Sequence, residues 1–259
     1  MTTSKSTPLT ERKRIVIKLG GSMLEGLSEQ FFIQLKQLMA DGVAPIIVHG
    51  GGPAINQELA RSGVTSTAVN GIRVTSDEAI GIVQSTLIGK VNPALVHQLN
   101  NEGIAAIGLS GFDGQLITCS FLDEKVYGNV GEIQNIQTEV LEKVTDAGFM
   151  PVLSCIGVSE DGKPLNINGD TVASRIALAV EADSLLLVTD TPGIRVHDEV
   201  QPTVSPSSIT KWIETGDIYG GMVPKVEAAL ACLSAGIPSV KIVDQHLSGT
   251  DIRSEGVTA

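Results

Sequence analysis

The chain has 259 residues, 42% of them hydrophobic and 18% charged, with a net charge of -11 at pH 7. That make-up belongs to a folded globular protein and excludes a disordered chain, while the acidity argues against a nucleic-acid surface, which would concentrate Lys and Arg on one face. No apolar run approaches the roughly 20 residues of a membrane span, and the opening residues lack the apolar stretch of a secretion signal, so a cytoplasmic protein without membrane or nucleic-acid partners is expected.

The first 14 residues are polar, end in Arg12, Lys13 and Arg14, and read as a solvated tail. "IVIKL" then reads as a strand running into the turn Gly20-Gly21. Ser28 can cap a helix whose apolar residues Phe31, Phe32, Leu35, Leu38 and Met39 follow a 3.6 period, and Gly42 ends it. "APIIVH" is a second buried strand, and "GGGP" leads into a helix starting near Pro53. "GIAAIGLSG" and "FMPVLSCIGV" read as further buried strands, each reached through a glycine after a helical stretch. Between them "QLITCSFLDEKVYGNVGEIQNIQ" breaks the rhythm as a β-hairpin insertion. After a helix over Asp170 to Val180 the strands resume with "SLLLVTD" and "GIPSVKIVD". Strands alternating with helices predict a three-layer α/β/α sandwich with a mainly parallel sheet, divided near residue 174 into domains over 1–174 and 175–259.

Both glycine turns fall at the C-terminal ends of strands, where open α/β sheets bind ligands and where backbone N–H groups can approach an anion. Neither is a Walker loop, since Gly89-Lys90 is followed by Val91, and "GGGPAI" fails the dinucleotide pattern at Ile55. Lys18 sits inside an apolar run, where its charge requires a partner or a ligand; the competing reading is an edge-strand lysine reaching water. "NINGD", Asn166 to Asp170, suits either an Asx-turn or a polar site. "VTDTPGI" puts Asp190 at a strand end, "GGMVPKVEAAL" aims Lys225 from a helix start, and Arg73 in "NGIRVT" offers a fork suited to a carboxylate. His49 can shape the turn it precedes. Cys119, Cys155 and Cys232 are too widely spaced for a disulfide framework or a zinc site, and the histidines have no metal-ligand spacing, so no metal ligand is assigned.

Taken in order, "KLGG", "VHGGGP", "NGIRVT", "VGEI", "NINGD", "VTDTPGI" and "GGMVPKVEAAL" resemble the amino acid kinase family, most closely its branch acting on N-acetyl-L-glutamate, over Ile15 to about Val243. The resemblance implies ATP and Mg²⁺, an N-terminal domain for the acyl acceptor and dimerisation, a C-terminal domain for ATP, and transfer of the γ-phosphoryl group to the acceptor γ-carboxylate in arginine biosynthesis. It further implies that Lys18 and Lys225 stabilise the migrating group, with Asp170 orienting both. Gly20 and Gly21 would serve the nucleotide phosphates, Gly51, Gly52, Arg73 and Asn166 the acceptor, and Asp190, Thr191, Pro192, Gly193, Ile194, Arg195 and Gly221 the nucleotide. Gly169 departs from the family, which has alanine there, and the ending "SGTDIRSEGVTA" is a poor match. The short polar start implies an arginine-insensitive homodimer. Open alternatives are an acceptor one methylene longer, uridylate or aspartate kinase, a non-catalytic sensor of this fold, and a nicotinamide-dependent oxidoreductase.

Overall fold

The computed structural model describes residues 12–24 and 26–253. The expected N-terminal tail up to residue 11 and the end of the chain after Arg253 lie outside them; Arg14, read as the last residue of that tail, instead opens the first strand and donates to the Val180 carbonyl at 2.9 Å. β1 (Arg14–Leu19) leads through the glycine turn to α1 (Glu29–Ala40), whose first turn is capped by Ser28 Oγ accepting from the Phe31 N–H at 3.3 Å. β2 (Ala44–His49) is buried throughout and α2 (Gly52–Arg61) starts with Pro53 in its first turn. The "NGIRVT" segment folds into a small antiparallel hairpin, β3 (Thr67–Val69) and β4 (Ile72–Val74).

One long helix follows: α3 (Asp77–Thr86), a wide π turn over Leu87–Val91, and α4 (Asn92–Asn101). By length and composition alone residues 77–101 could cross a membrane, which the sequence reading had not anticipated. The helix packs on α2, and its second half on β5 (Ala106–Leu109).

The expected insertion is present as β6 (Ile117–Phe121) and β7 (Gly131–Ile136), antiparallel, with the short helix α5 (Glu124–Tyr127) at their turn. After α6 (Thr138–Asp146), the run read as one strand divides at Cys155 into β8 (Met150–Ser154) and β9 (Ile156–Ser159), which enter different sheets. A continuous apolar run cannot show such a change of sheet, because both halves are equally buried. β10 (Pro164–Asn166), α7 (Gly169–Ala179) and β11 (Ser184–Val188) come next. A small hairpin of β12 (Arg195–Val196) and β13 (Glu199–Val200), then β14 (Thr203–Val204), α8 (Pro206–Thr215), α9 (Met222–Ser234), β15 (Ser239–Val243) and β16 (Gly249–Arg253) complete the described chain. β16 pairs antiparallel with β15.

The main sheet has the order β14-β16-β15-β11-β1-β2-β8-β5, parallel except between β15 and β16. A second sheet has the order β10-β9-β6-β7. Because side chains alternate across a strand, the buried residues of the main sheet sort into two cores. Ile15, Ile17 and Ile47 face Phe31, Phe32 and Leu35 of α1 and Leu95 of α4; Val16, Ile46 and Val48 face Val172 and Ile176 of α7 and Val226 of α9. These are the three layers expected. Lys18 shares the parity of Val16, so its stem runs toward the α7 and α9 side.

β1 is flanked by β2 on one side and β11 on the other. The chain therefore leaves β1 in both directions across the sheet, and the crevice beyond its C-terminal end is the position where such sheets bind ligands.

Candidate active site

A cleft of about 400 Å³ opens at the C-terminal ends of β1, β11 and β15, with Lys18, Gly20, Asp170, Thr189, Asp190 and Lys225 among the residues of its wall. Lys18 reaches Asp170 at the head of α7, Nζ to Oδ1 2.8 Å, with the lysine side chain 19% exposed. A charge on a strand buried on both faces is tolerated because its ammonium leaves the apolar layer at the strand end and meets a carboxylate there. Lys225, on the first turn of α9, donates to Thr189 Oγ1 and, at 2.8 Å, to Asp190 Oδ1, which is 78% exposed. Thr189 Oγ1 also donates to Asp190 at 2.8 Å. The hydrogen bond from Lys225, then that from Thr189, holds the Asp190 carboxyl below its ordinary value. Both ammonium groups thus face one cavity. Asp170, expected to orient both lysines, pairs with Lys18, whereas the carboxylate on Lys225 is Asp190.

The two glycine turns pack against each other. A Cβ on Gly21 would lie 2.8 Å from Gly52 N and from Pro53 Cδ, so only glycine permits this approach. Among the described residues the N–H groups of Gly20, Gly21, Gly51 and Gly52 have no acceptor, whereas Gly50 N–H donates to Leu19 O at 3.2 Å. Four backbone donors and two lysines in one region form a receptor for an anion carrying several charged oxygens.

The "NINGD" loop resolves into three separate roles. Asn166 is buried and its Nδ2 donates to Thr75 Oγ1 at 3.1 Å; Asn168 caps α7 by accepting from Asp170 N at 2.8 Å and Thr171 N at 3.2 Å; Asp170 turns to Lys18. Thr75 Oγ1 donates in turn to the Arg73 carbonyl at 3.2 Å, linking Asn166 to the β3–β4 hairpin. The Arg73 guanidinium itself lies elsewhere, bonded to Ser66 Oγ and, at 2.6 Å, to Asn56 Oδ1 in a second cavity of about 450 Å³ between the hairpin and α2. Burial there lowers its pKa from the usual value.

Of the stretch assigned to the nucleotide, Asp190 lines the cleft. Gly193, at φ +123°, packs on Thr250, and the Ile194 N–H donates to Thr250 Oγ1 at 2.8 Å. The Ile194 side chain is fully buried in the core, which limits any ligand contact of this residue to its backbone. Arg195 bonds the Asp198 carbonyl at 2.9 Å across the β12–β13 turn, and Gly221 stands at the start of α9 with open space where a Cβ would go.

Sequence reasoning pointed to His49 as shaping the second glycine turn but missed Asn92 and Cys155 behind it. His49 is fully buried, with Nδ1 2.8 Å from Gly50 O and Nε2 2.9 Å from Asn92 Nδ2 of α4. Burial pulls its pKa down to about 4, so the ring is neutral. Cys155 Sγ–H donates to the His49 carbonyl at 3.0 Å, and burial pushes that thiol up to about 12. No local pattern carries Asn92 or Cys155, since both reach the turn from distant parts of the chain.

Among the described residues no three or more His, Cys, Asp or Glu side chains gather where they could hold a metal ion. The two cleft carboxylates are each committed to a lysine, so these residues do not fit a protein-built Mg²⁺ cage.

Residues 13–244 match the amino acid kinase family. The acetylglutamate kinase of Halalkalibacterium halodurans is 44% identical over 230 residues, covering 89% of this chain and 88% of that protein. The acetylglutamate kinase of Geobacillus kaustophilus is 40% identical over 251 residues, covering 94% and 97%. The crystal structure of smu.665 from Streptococcus mutans superposes with a TM-score of 0.83 at 34% identity, covering 93% of this chain and 99% of that one.

Proposed function

The chain belongs to the amino acid kinase family, and from that premise we propose that it transfers the γ-phosphoryl group of ATP to the γ-carboxylate of N-acetyl-L-glutamate, giving an acyl phosphate in arginine biosynthesis. The observation that carries the reading is the convergence of Lys18 and Lys225 on one cleft whose wall includes Gly20, at a glycine turn packed against a second one.

The chemistry asks little covalent help from the protein. A glutamate-type carboxylate has a pKa of about 4.3 and is already the nucleophile at neutral pH, so no general base is required. What must be overcome is repulsion between two anions, followed by charge on the equatorial oxygens of a loose transition state. Lys18, fixed by Asp170, and Lys225, on the opposite wall, place positive charge on either side of the migrating group, and the glycine turns add donors that need no reorganisation. In this reading the N-terminal portion, to about residue 174, holds the acceptor through Gly51, Gly52, Asn166 and Arg73. Arg73 must first exchange Asn56 and Ser66 for the acceptor carboxylate. The remainder holds the nucleotide, with Asp190 and Gly221 at its entrance. Mg²⁺ belongs to the proposal as a counter-ion carried by the triphosphate, and no step is assigned to it.

We also read the protein as a cytoplasmic homodimer. For the dimer alone the support is that only 33% of the most apolar stretch within residues 77–101 is buried inside the single chain, which leaves helix surface for a second copy; sedimentation at micromolar concentration tests the dimer. The reaction is tested by trapping acyl phosphate with hydroxylamine in the presence of Mg-ATP and, in parallel, acetylglutamate, acetylaminoadipate, glutamate and aspartate. Fastest turnover with acetylglutamate is expected. A preference for the longer acceptor would move the assignment within the family, and no turnover with any acceptor would leave a sensor of the same fold. One methylene is worth about 1 to 3 kcal/mol, so the ranking should be clear without being absolute.

A further inference from the structure

We infer that His49 is a positioning residue for phosphoryl transfer: its ring locks the Gly50–Gly51 peptide so that the Gly51 N–H is presented to the reacting anions. The inference rests on the kinase reading above and adds a component to it.

The logic starts at an atom that can only accept. The Val152 carbonyl lies 2.9 Å from Asn92 Nδ2, which fixes the Asn92 amide with its NH₂ toward β8. The same NH₂ has its second proton directed at His49 Nε2, 2.9 Å away, so Nε2 must accept. A neutral imidazole that accepts at Nε2 carries its proton at Nδ1, and Nδ1 faces the Gly50 carbonyl at 2.8 Å. The depressed pKa of the buried ring agrees with the neutral form. Room for Asn92 is itself provided for: a Cβ on Gly108 of β5 would collide with Asn92 Oδ1, so this position must be glycine for the amide to sit where it does.

A trans peptide is planar, with its C=O and N–H pointing in opposite directions. Holding the Gly50 oxygen on the His49 side therefore sends the Gly51 N–H to the other side, where among the described residues it has no acceptor. The preceding peptide is held at both ends already, by Cys155 Sγ on the His49 oxygen and by Leu19 O on the Gly50 N–H. The Gly50–Gly51 peptide has no such backbone partner. Flanked by two glycines, it can rotate at little steric cost, and a flip would point a carbonyl where an N–H donor is needed. The His49 ring supplies the missing restraint.

The test uses the full chain with His49→Leu, His49→Asn and Asn92→Ala, each assayed for kcat and for KM of acetylglutamate and ATP well below its melting temperature. Losing one preorganised donor lowers kcat by roughly 10²-fold, so His49→Leu is expected to show a loss of that size. His49→Asn, whose amide can take the place of Nδ1, should recover to within about tenfold of the parent, and Asn92→Ala should fall between them. In the unsubstituted protein, ¹⁵N imidazole shifts at pH 7 should report a proton on Nδ1. Equal kcat in His49→Leu and the parent, no recovery in His49→Asn, or a proton on Nε2 would each overturn the inference. If the parent makes no acyl phosphate, the kinase reading fails, and the tautomer together with the Gly51 amide shift in His49→Leu still decides whether the ring holds the peptide. If His49→Leu does not fold, Asn92→Ala and the tautomer decide it.

Discussion

Lys18 stands on a strand buried on both faces, and behind its carboxylate partner lie the capped head of α7 and the His49 and Cys155 contacts. Lys225 stands on the first turn of a helix near the surface and is held by Thr189 and an aspartate that is 78% exposed. Both lysines thus meet solvent-accessible carboxylates, 46% exposed at Asp170 and 78% at Asp190, and the two sides differ in the setting of the lysine itself, a central strand on one and a helix start on the other. A cation whose stem is held in a central strand, with its partner at a capped helix start, is preorganised for one position. An exposed pair contributes roughly 0 to 1 kcal/mol and is free to exchange partners when a more highly charged anion arrives. In the proposed reaction the contrast puts Lys18 on the fixed side and Lys225 on the side that adapts as nucleotide enters and leaves.

The sharpest way to break this contrast is to replace each lysine in turn. Lys18→Met is expected to lower kcat by roughly 10³-fold or more, and Lys225→Met by roughly 10²-fold with a raised KM for ATP. Arginine should restore part of the rate at 225 and little at 18, because the fixed side has no slack for a longer fork; equal rescue at both positions would abolish the distinction. Removing the partner carboxylates comes next. Asp170→Asn should cost roughly 10-fold to 100-fold in kcat, while Asp190→Asn should cost less than about tenfold and become indistinguishable from the parent as salt is raised, since salt screens exposed pairs.

Acid should find the buried side first. The folded pKa of His49 is lowered from 6.5 to about 4, so below pH 6.5 the unfolded chain binds the proton more readily. The associated stability is fully present above pH 6.5 and is lost as pH falls toward 4, by on the order of 3 kcal/mol. Urea unfolding at pH 7 and pH 4.5 in the parent and in His49→Asn measures it, the variant being expected to lose less. The smallest effect is expected at Gly169. A Cβ there would meet Cys155 Sγ at 3.5 Å, Lys18 Cε at 3.7 Å and Gly50 Cα at 3.9 Å, all ordinary contacts. Gly169→Ala should therefore stabilise the fold by about 0.5 kcal/mol and leave kcat within about twofold, as thermal unfolding and the hydroxamate assay will show.

Much of the fixed side could be read from the sequence, because Lys18 violates its surroundings: one charge in an apolar run followed by two glycines has few explanations. The alternation of strands and helices was legible for the same reason, through runs such as "APIIVH" whose burial on both faces follows from composition. The other side was less so. The Lys225–Asp190 pair joins residues 35 apart through the packing of α9 on β15 and of β15 on β11, which no local pattern encodes. The place of Arg73 depends on which neighbours its fork finds, and the break at Cys155 on which sheet each half joins. Asn92 and Gly108 gave no signal as single residues, since each matters only through the other.

The wide turn over Leu87–Val91 gives the long helix a residue count that the glycine turn constrains. A Cβ on Gly51 would lie 2.6 Å from Leu87 Cδ2 and 3.5 Å from Val91 Cγ2, so the two ends of the turn close over that glycine, and Asn92 follows at once. Losing one residue from 88–90 would let the wide turn tighten into an ordinary α turn and change the spacing at which Leu87 and Val91 close over the glycine. The turn acts as a spacer: spelling changes at the exposed Gly89 or Lys90 leave its width true, whereas an in-frame deletion of one codon there would narrow it and loosen its grip on Gly51.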